Sequence, residues 1–500
     1  MSLPEPRPAP AQAPEAALHR YQQIARRYAG AIEAGTLAPG ERFPSVRQLA
    51  AEEQVSVATV LQAIAQLESL GLVEARPRSG HFVRHRTRAP APRLERPRAG
   101  ASAVSVSALV RRVYLAASDP TMVQLGSAVP SVDLLPSTAL SRAVASSMRH
   151  PRDGGVAYQM PPGLPELRRM IAQRALHWGM AISEDDVIVT SGATEAVHLS
   201  LLATTRPGDV VAMESPAYYG TLQVVEAMGL KVVEIPCHPR DGLDVDALAQ
   251  RLDRQRIAAV VAVPTYSNPL GSCMPEAARQ RLVKLLSARG VPLIEDDVYG
   301  ELAFGPSRVN PVKAWDQDGT VLFCSSFTKT LAPGYRVGFV IPGPRHRERI
   351  EGLKFATNVA SPTLPQRALA RYLADGAYDR HLRALRDRLA AIEAATASAV
   401  ARHFPEGTRV SSPGGGCFLW VELPPGLDAM TLHARALDVG VAISPGPIFS
   451  PAGAGYRSCI RLSCGAPWTG EVEAAVKLLG RLAGKLLEKE PGPPRAVPVT

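Results

Sequence analysis

The chain has no apolar run long enough to cross a bilayer as a helix and no pair of cysteines spaced as CxxC. The first absence argues against a helical membrane protein. Six cysteines stand apart at 237, 273, 324, 417, 459 and 464. That scatter argues against a disulfide framework or a zinc site and fits buried thiols in a reducing cytoplasm, so no metal is expected. The opening MSLPEPRPAPAQAPEA lacks an apolar segment, and no signal peptide is expected. Acid is scarce relative to base: 46 Asp and Glu against 56 Lys and Arg leave a net charge of +10, which leans towards an anionic partner. What is present is 500 residues, 46% of them hydrophobic, the composition of a soluble globular chain of two or three domains.

Residues 1–15 are rich in Pro and Ala and are expected, like 486–500, to be disordered tails. A compact pattern spans 16–85. From Arg84 to Ser102, RHRTRAPAPRLERPRAGAS is dense in Arg and Pro, and an extended, semi-rigid linker is expected over 86–118. Over 119–485 short apolar runs alternate with helical patterns, among them VVAM (210–213), AAVVAVP (258–264), VPLIEDD (291–297), TVLFCSS (320–326) and RVGFVIP (336–342). Such alternation predicts an α/β layer fold on a largely parallel sheet. Its last part, from about 345, carries GCFLWVEL (416–423) and SCIRLSC (458–464) between long helices and predicts a smaller α+β domain.

Near the N-terminus, Tyr21, Ile24, Ala25, Tyr28 and Ile32 recur at helical spacing. Ser45 and Gln48 are spaced as a capping box, and Ser56 stands where it caps a further helix bearing Val60, Ile64, Leu67 and Leu70. LVEARPRSGHFVRH then offers two short strands around Ser79-Gly80, a wing with Arg76, Arg78 and His81 near its tip. The order GTLAPGERFPSVRQLA, VSVATVLQAIAQLESLGLVEARPRSGHFV resembles the winged helix-turn-helix of the GntR family. The resemblance implies double-stranded DNA as partner. It puts Arg47 and the helix start at Ser56 and Thr59 on phosphates and base edges, and Arg78, Gly80 and His81 in a wing beside the minor groove. Val57 stands where the family often has an arginine, which removes a bidentate guanine contact.

In the second half several features are individually ambiguous. Ser191-Gly-Ala-Thr-Glu195 is a glycine turn into a helix, which cradles anions or merely turns. Tyr218 follows a strand; Asn268 lies at a strand end; Asp296 closes an apolar strand; Lys329 sits among hydroxyls in SSFTKTLAPGYR, with Arg336 seven residues on. The ordered set is more specific than its parts. A phosphorylated pyridine aldehyde asks for an amine to condense with, a carboxylate at the ring nitrogen, an amide and a phenol at the ring oxygen, an aromatic on the face, and hydroxyls with arginine at the phosphate.

This portion resembles the fold-type I aminotransferases of class I/II over about 365 residues, with likeness to aminoadipate and kynurenine aminotransferases. The resemblance implies pyridoxal 5'-phosphate as cofactor, Lys329 as Schiff-base lysine and Asp296 as pyridinium partner. It implies Tyr218 stacked on the ring, Asn268 and Tyr299 at the ring oxygen, and Ala193, Thr194, Ser326, Thr328 and Arg336 at the phosphate. Arg461 matches the clamp for a substrate carboxylate, and Tyr158 a tyrosine that reaches the phosphate of the neighbouring subunit, hence a homodimer. A winged helix followed by such a domain resembles the MocR-type GntR regulators. The expectation is a cytoplasmic regulator, with no membrane partner, that senses PLP or an amino acid or amine effector through aldimine chemistry. The alternatives are a working aminotransferase with an appended DNA-binding module, and a domain kept only as a dimerisation scaffold.

Overall fold

The computed structural model describes residues 19–489 apart from 34–35, 39, 70–71, 77–78, 84–88, 96, 98–99, 118, 120, 150–154 and 306–307. It divides into two units, Met1–Arg88 and Ala89–Thr500.

In the first unit α1 (Arg20–Glu33), α2 (Val46–Glu52) and α3 (Val57–Ser69) enclose Ile24, Phe43, Leu49, Val60, Ile64 and Leu67. The Ser45 hydroxyl accepts from the Gln48 amide at 3.2 Å and starts α2. The reciprocal half of the expected capping box is absent: Gln48 Nε2 donates to Glu52 Oε1 at 2.9 Å, a partner one turn along the exposed face. Ser56 starts α3 as expected, accepting from the Thr59 amide at 3.2 Å. β1 (Val73–Arg76) and β2 (Gly80–Val83) pair antiparallel, with Arg76 opposite Gly80. Gly80 has φ +93°, a conformation that side chains rarely adopt.

The stretch expected to be an extended, semi-rigid linker, 86–118, falls within the second unit from Ala89 onward. The Pro90 carbonyl accepts from the Val410 amide at 2.8 Å, and the Arg93 amide donates to Glu422 at 2.6 Å. β3 (Ala101–Ala103) pairs antiparallel with Lys231–Val233, and α4 (Ser107–Ala117) buries Val110 and Val113 in the main core. The Arg/Pro tract concealed this, because the apolar helix face begins only after it, at Val106.

Along the chain follow β4 (Val123–Gln124), α5 (Ser137–Met148), α6 (Pro165–Leu176), β5 (Ile188–Thr190), α7 (Ala193–Thr204), β6 (Val210–Ser215), α8 (Tyr219–Ala227), β7 (Lys231–His238), β8 (Gly242–Leu243), α9 (Val245–Arg254), β9 (Ala259–Ala262), α10 (Glu276–Arg289), β10 (Leu293–Asp296), β11 (Val321–Ser326) and β12 (Gly338–Ile341). The main sheet has the order β3-β7-β6-β9-β10-β11-β12-β5, with β8 beside β7. Its central strands β7, β6, β9, β10 and β11 are parallel. β9, β10 and β11 are buried along their whole length, which is why they read as continuous apolar runs rather than alternating ones.

The remainder is α11 (Arg347–Asn358), α12 (Thr363–Ala374), α13 (Ala377–His403), β13 (Arg409–Val410), β14 (Phe418–Glu422), α14 (Ala429–Leu437), β15 (Val441–Ala442), β16 (Ser444–Pro445), β17 (Cys459–Ser463) and α15 (Gly470–Lys489). A four-stranded sheet β13-β14-β17-β16 forms the smaller α+β part, packed against α13 and α15 through Leu419, Val421, Ile460 and Leu462. Among the described residues no helix is long and apolar enough to cross a membrane.

Candidate active site and nucleic-acid interface

Parallel strands put their carboxyl ends on one edge of the sheet, where ligands of open α/β folds bind. Here β10 ends at Asp296, β11 is followed by Lys329, and β5 leads through Gly192 into α7. A cavity of about 240 Å³ opens at this edge. Ala193, Thr194, Tyr218, Asn268, Asp296, Tyr299, Ser326, Thr328, Lys329 and Arg336 all line it.

Lys329 reaches in with its amine, donating to the Ala128 carbonyl at 2.9 Å and lying 5.5 Å from the centre of the Tyr299 ring. Burial draws the ammonium pKa down to about 8. Asp296 is one of three consecutive buried acids. Glu295 accepts from the amides of Val312 and Lys313, and Asp297 pairs with Arg308 at 2.6 Å. Asp296 instead faces the cavity, and its buried Oδ1 has no hydrogen-bond partner in the chain. Burial, reinforced by the charge of Asp297, pushes its carboxyl up to about 7.

Asn268 donates from Nδ2 to the Tyr299 hydroxyl at 3.4 Å and accepts at Oδ1 from Arg461 Nη1 at 2.8 Å. Arg461 is fully buried on β17. Its Nη2 donates to the Gly126 carbonyl and to Ser444 Oγ, and its Nε has no partner in the chain. Phe449 lies 5.1 Å from the guanidinium carbon.

At the other end of the cavity Gly192, with φ +91°, leaves the first amides of α7 free. Gly338 on β12 fits there only without a side chain: a Cβ would come within 2.8 Å of the Ala193 nitrogen. Arg336 holds a left-handed conformation, φ +55°, and donates from Nη2 to the Ser191 carbonyl at 3.1 Å. Beside them Tyr218 is half-buried; a side chain on Gly220 would strike its ring. Tyr158 is not brought to this cavity: it is 79% exposed on its own chain.

Three participants escaped the sequence analysis. Glu214, at the penultimate position of β6, is fully buried, accepts from the Val263 amide at 3.0 Å, and is pushed up to about 8 by burial above all. Tyr114, within the expected linker, has its hydroxyl 2.9 Å from that of Tyr219. The Ala128 carbonyl takes the lysine amine. Glu214 lies in ESPAY, four residues before Tyr218, where it reads as a strand residue; the other two carry no local signal.

In the first unit Arg47 is exposed on α2, and Ser56 and Thr59 sit at the start of α3, their hydroxyls 2.9 Å apart. Val57, the first residue of α3, is 49% exposed. His81 Nε2 lies 3.5 Å from Glu68 Oε1 on α3. Arg78 lies outside the described residues.

The donors fit one kind of group. An unpartnered buried carboxylate suits a protonated ring nitrogen, a desolvated amine suits an aldehyde, and a helix N-terminus with two hydroxyls and an arginine suits a phosphate. Fold and site thus define a fold-type I aminotransferase domain on the same chain as a winged helix-turn-helix. Residues 20–83 match the model of the bacterial regulatory proteins of the gntR family, and residues 120–479 that of the aminotransferases of class I and II. The uncharacterized HTH-type transcriptional regulator YjiR of Escherichia coli is 36% identical over 94% of this chain and all of its own length. Kynurenine aminotransferase of Pyrococcus horikoshii, solved with PMP, superposes with a TM-score of 0.72 at 27% identity, covering 77% of this chain and 96% of its own. LysN, the α-aminoadipate aminotransferase of Thermus thermophilus complexed with N-(5'-phosphopyridoxyl)-L-leucine, does so with a TM-score of 0.69 at 28% identity, over 77% of this chain and all of its own. The chain belongs to the GntR regulators of the MocR type, DNA-binding regulators fused to a class I/II aminotransferase domain. The cofactor for which this domain and its donor set are built is pyridoxal 5'-phosphate.

Proposed function

We propose that this regulator senses pyridoxal phosphate, or an amino acid or amine that reacts with it, and that binding at the site changes the affinity of a homodimer for its operator in the cytoplasm. The observation that carries this is Lys329 with Asp296 in one cavity, on a chain whose other unit is a winged helix.

Bound pyridoxal phosphate supplies an aldehyde that condenses with amines and a ring that draws electrons from the adjoining carbon. The chain's own residues prepare for it. Lys329, drawn down to about 8, exposes far more neutral amine near physiological pH than an ordinary lysine does. Asp296 would keep the ring nitrogen protonated, Asn268 and Tyr299 would hold the ring oxygen, and Tyr218 would lie against one face. Ala193, Thr194, Ser326, Thr328 and Arg336 bind the phosphate. Arg461, with its unpartnered Nε, receives an effector carboxylate. Tyr158, exposed on its own subunit, reaches the phosphate bound by the other.

The route to DNA begins where the first unit ends. Residues 89–117 are tied to the small sheet through Pro90 and Arg93 and to the large sheet through Ala101–Ala103. Any shift between the two sheets therefore strains the segment that leads to the DNA-binding unit. An effector shifts that equilibrium only by binding its two states with different affinity.

A second reading, a working aminotransferase with an appended DNA-binding module, is favoured by Lys329 and Asp296 meeting in one cavity. Multiple-turnover transamination distinguishes it. Mapping of chromosomal binding sites with and without candidate amines tests the regulatory reading. Sites whose occupancy follows an amine support it; occupancy that no amine alters opposes it.

A further inference from the structure

Behind the anion cradle lies a closed ring of polar side chains that the residues so far discussed do not explain. Lys354, on α11, is 1% exposed at its side chain. Its amine donates to Glu195 Oε2 at 2.7 Å and to Ser361 Oγ at 2.9 Å. The same Glu195 oxygen accepts from the Ser191 amide at 2.6 Å, and Ser361 Oγ lies 3.4 Å from Ser191 Oγ, which closes the ring. Asn358 donates to Glu195 Oε1 and, at 3.3 Å, to Ser191 Oγ. Ser191 is also the residue whose carbonyl holds Arg336.

Glu195 stands in the first turn of α7, two residues after Ala193. An acid there is ordinarily favourable, because the helix N-terminus is positive. In this helix the same positive end faces the phosphate cradle, so a carboxylate and a dianionic phosphate compete for it. A buried ion pair adds little net stability over an apolar pair of similar shape, so stability alone does not account for Lys354.

We propose that Lys354 is a positioning residue for the cradle: it neutralises Glu195, so that the carboxylate pins the Ser191 turn as a hydrogen-bond acceptor without repelling the phosphate. This rests on the proposed function, in which α7 holds the phosphate.

The test compares PLP, pyridoxal and inorganic phosphate, titrated into the full-length protein and its variants, with ring absorbance and ³¹P resonance as readouts. Lys354→Met leaves the Glu195 charge uncompensated; it weakens PLP and inorganic phosphate on the order of tenfold while leaving pyridoxal, which has no phosphate, unchanged. Adding Glu195→Gln restores PLP to within about threefold of wild type. Glu195→Gln alone keeps or raises PLP affinity, an arm that stands even where Lys354→Met folds poorly. Equal weakening of PLP and pyridoxal, a double variant no better than Lys354→Met, or a loss of affinity in Glu195→Gln alone would overturn the proposal. A wild type that takes inorganic phosphate but not PLP refutes the proposed function, while the phosphate arm still decides the role of Lys354.

Discussion

Asn268 is shared between Tyr299 and Arg461: its amide donates to the phenol at 3.4 Å while its carbonyl accepts from the guanidinium at 2.8 Å. One side chain thus joins the proposed ring-oxygen donors to the proposed carboxylate clamp. Asn268→Ala leaves Arg461 Nη1 unpaired in a buried site, at a cost of about 1–3 kcal/mol. The expected outcome is a lower Tm and weakened binding of PLP and of carboxylate-bearing effectors together. Thermal melts and PLP titration check it. A variant that loses only one of the two ligands would show that the bridge does not couple them.

In the proposed function Lys329 carries the covalent chemistry. Wild type incubated with PLP is expected to turn yellow, and borohydride reduction to fix the cofactor mass on the peptide containing Lys329. The sign of the pH dependence follows from the depressed value: the amine is protonated below about 8 and neutral above it. Covalent capture therefore accelerates as pH rises through about 8 and levels off beyond. Lys329→Ala loses the adduct while retaining non-covalent PLP. A colourless wild type would remove the cofactor from the mechanism.

Tyr158, exposed on its own chain, is expected to complete the partner's site. Tyr158→Phe removes a phosphate hydrogen bond worth about 1.5–3 kcal/mol. Mixed with Lys329→Ala subunits, it yields heterodimers in which one site has both residues intact. Such heterodimers are expected to bind PLP covalently with near wild-type affinity at that site. Heterodimers demonstrated by mass yet lacking a restored site contradict the arrangement.

On the DNA side, Arg47 is exposed on α2 and is expected on a phosphate. Arg47→Ala should weaken binding of all duplexes similarly and lower the log–log salt slope by about 0.9. A variant that changes sequence preference with an unchanged slope would place Arg47 on a base edge instead.

The cavity was legible because its residues lie in short motifs at strand ends: SGAT, ESPAY, YSNP, IEDDVY and SSFTK each bring one to three of its lining residues. What escaped was tertiary. Tyr114 meets Tyr219 across 105 residues, from a helix hidden behind an Arg/Pro tract. Lys354 on an amphipathic helix reads as a solvated lysine until Glu195 is found 159 residues away. The wing was legible as strands, but the inward pairing of His81 with Glu68 was not. Gln48 likewise matched the capping-box spacing and spent its amide on Glu52.

The most direct measurement is a titration of operator DNA, by fluorescence anisotropy, with full-length protein in the apo form, with PLP, and with PLP plus a panel of amino acids, in wild type and Lys329→Ala. The expected result is an operator affinity in wild type that differs between these states; a tenfold change corresponds to about 1.4 kcal/mol of differential binding. Lys329→Ala is expected to bind operator yet give no response, or one fixed state. Wild-type curves that superpose in every condition would contradict the coupling and leave the aminotransferase domain a scaffold.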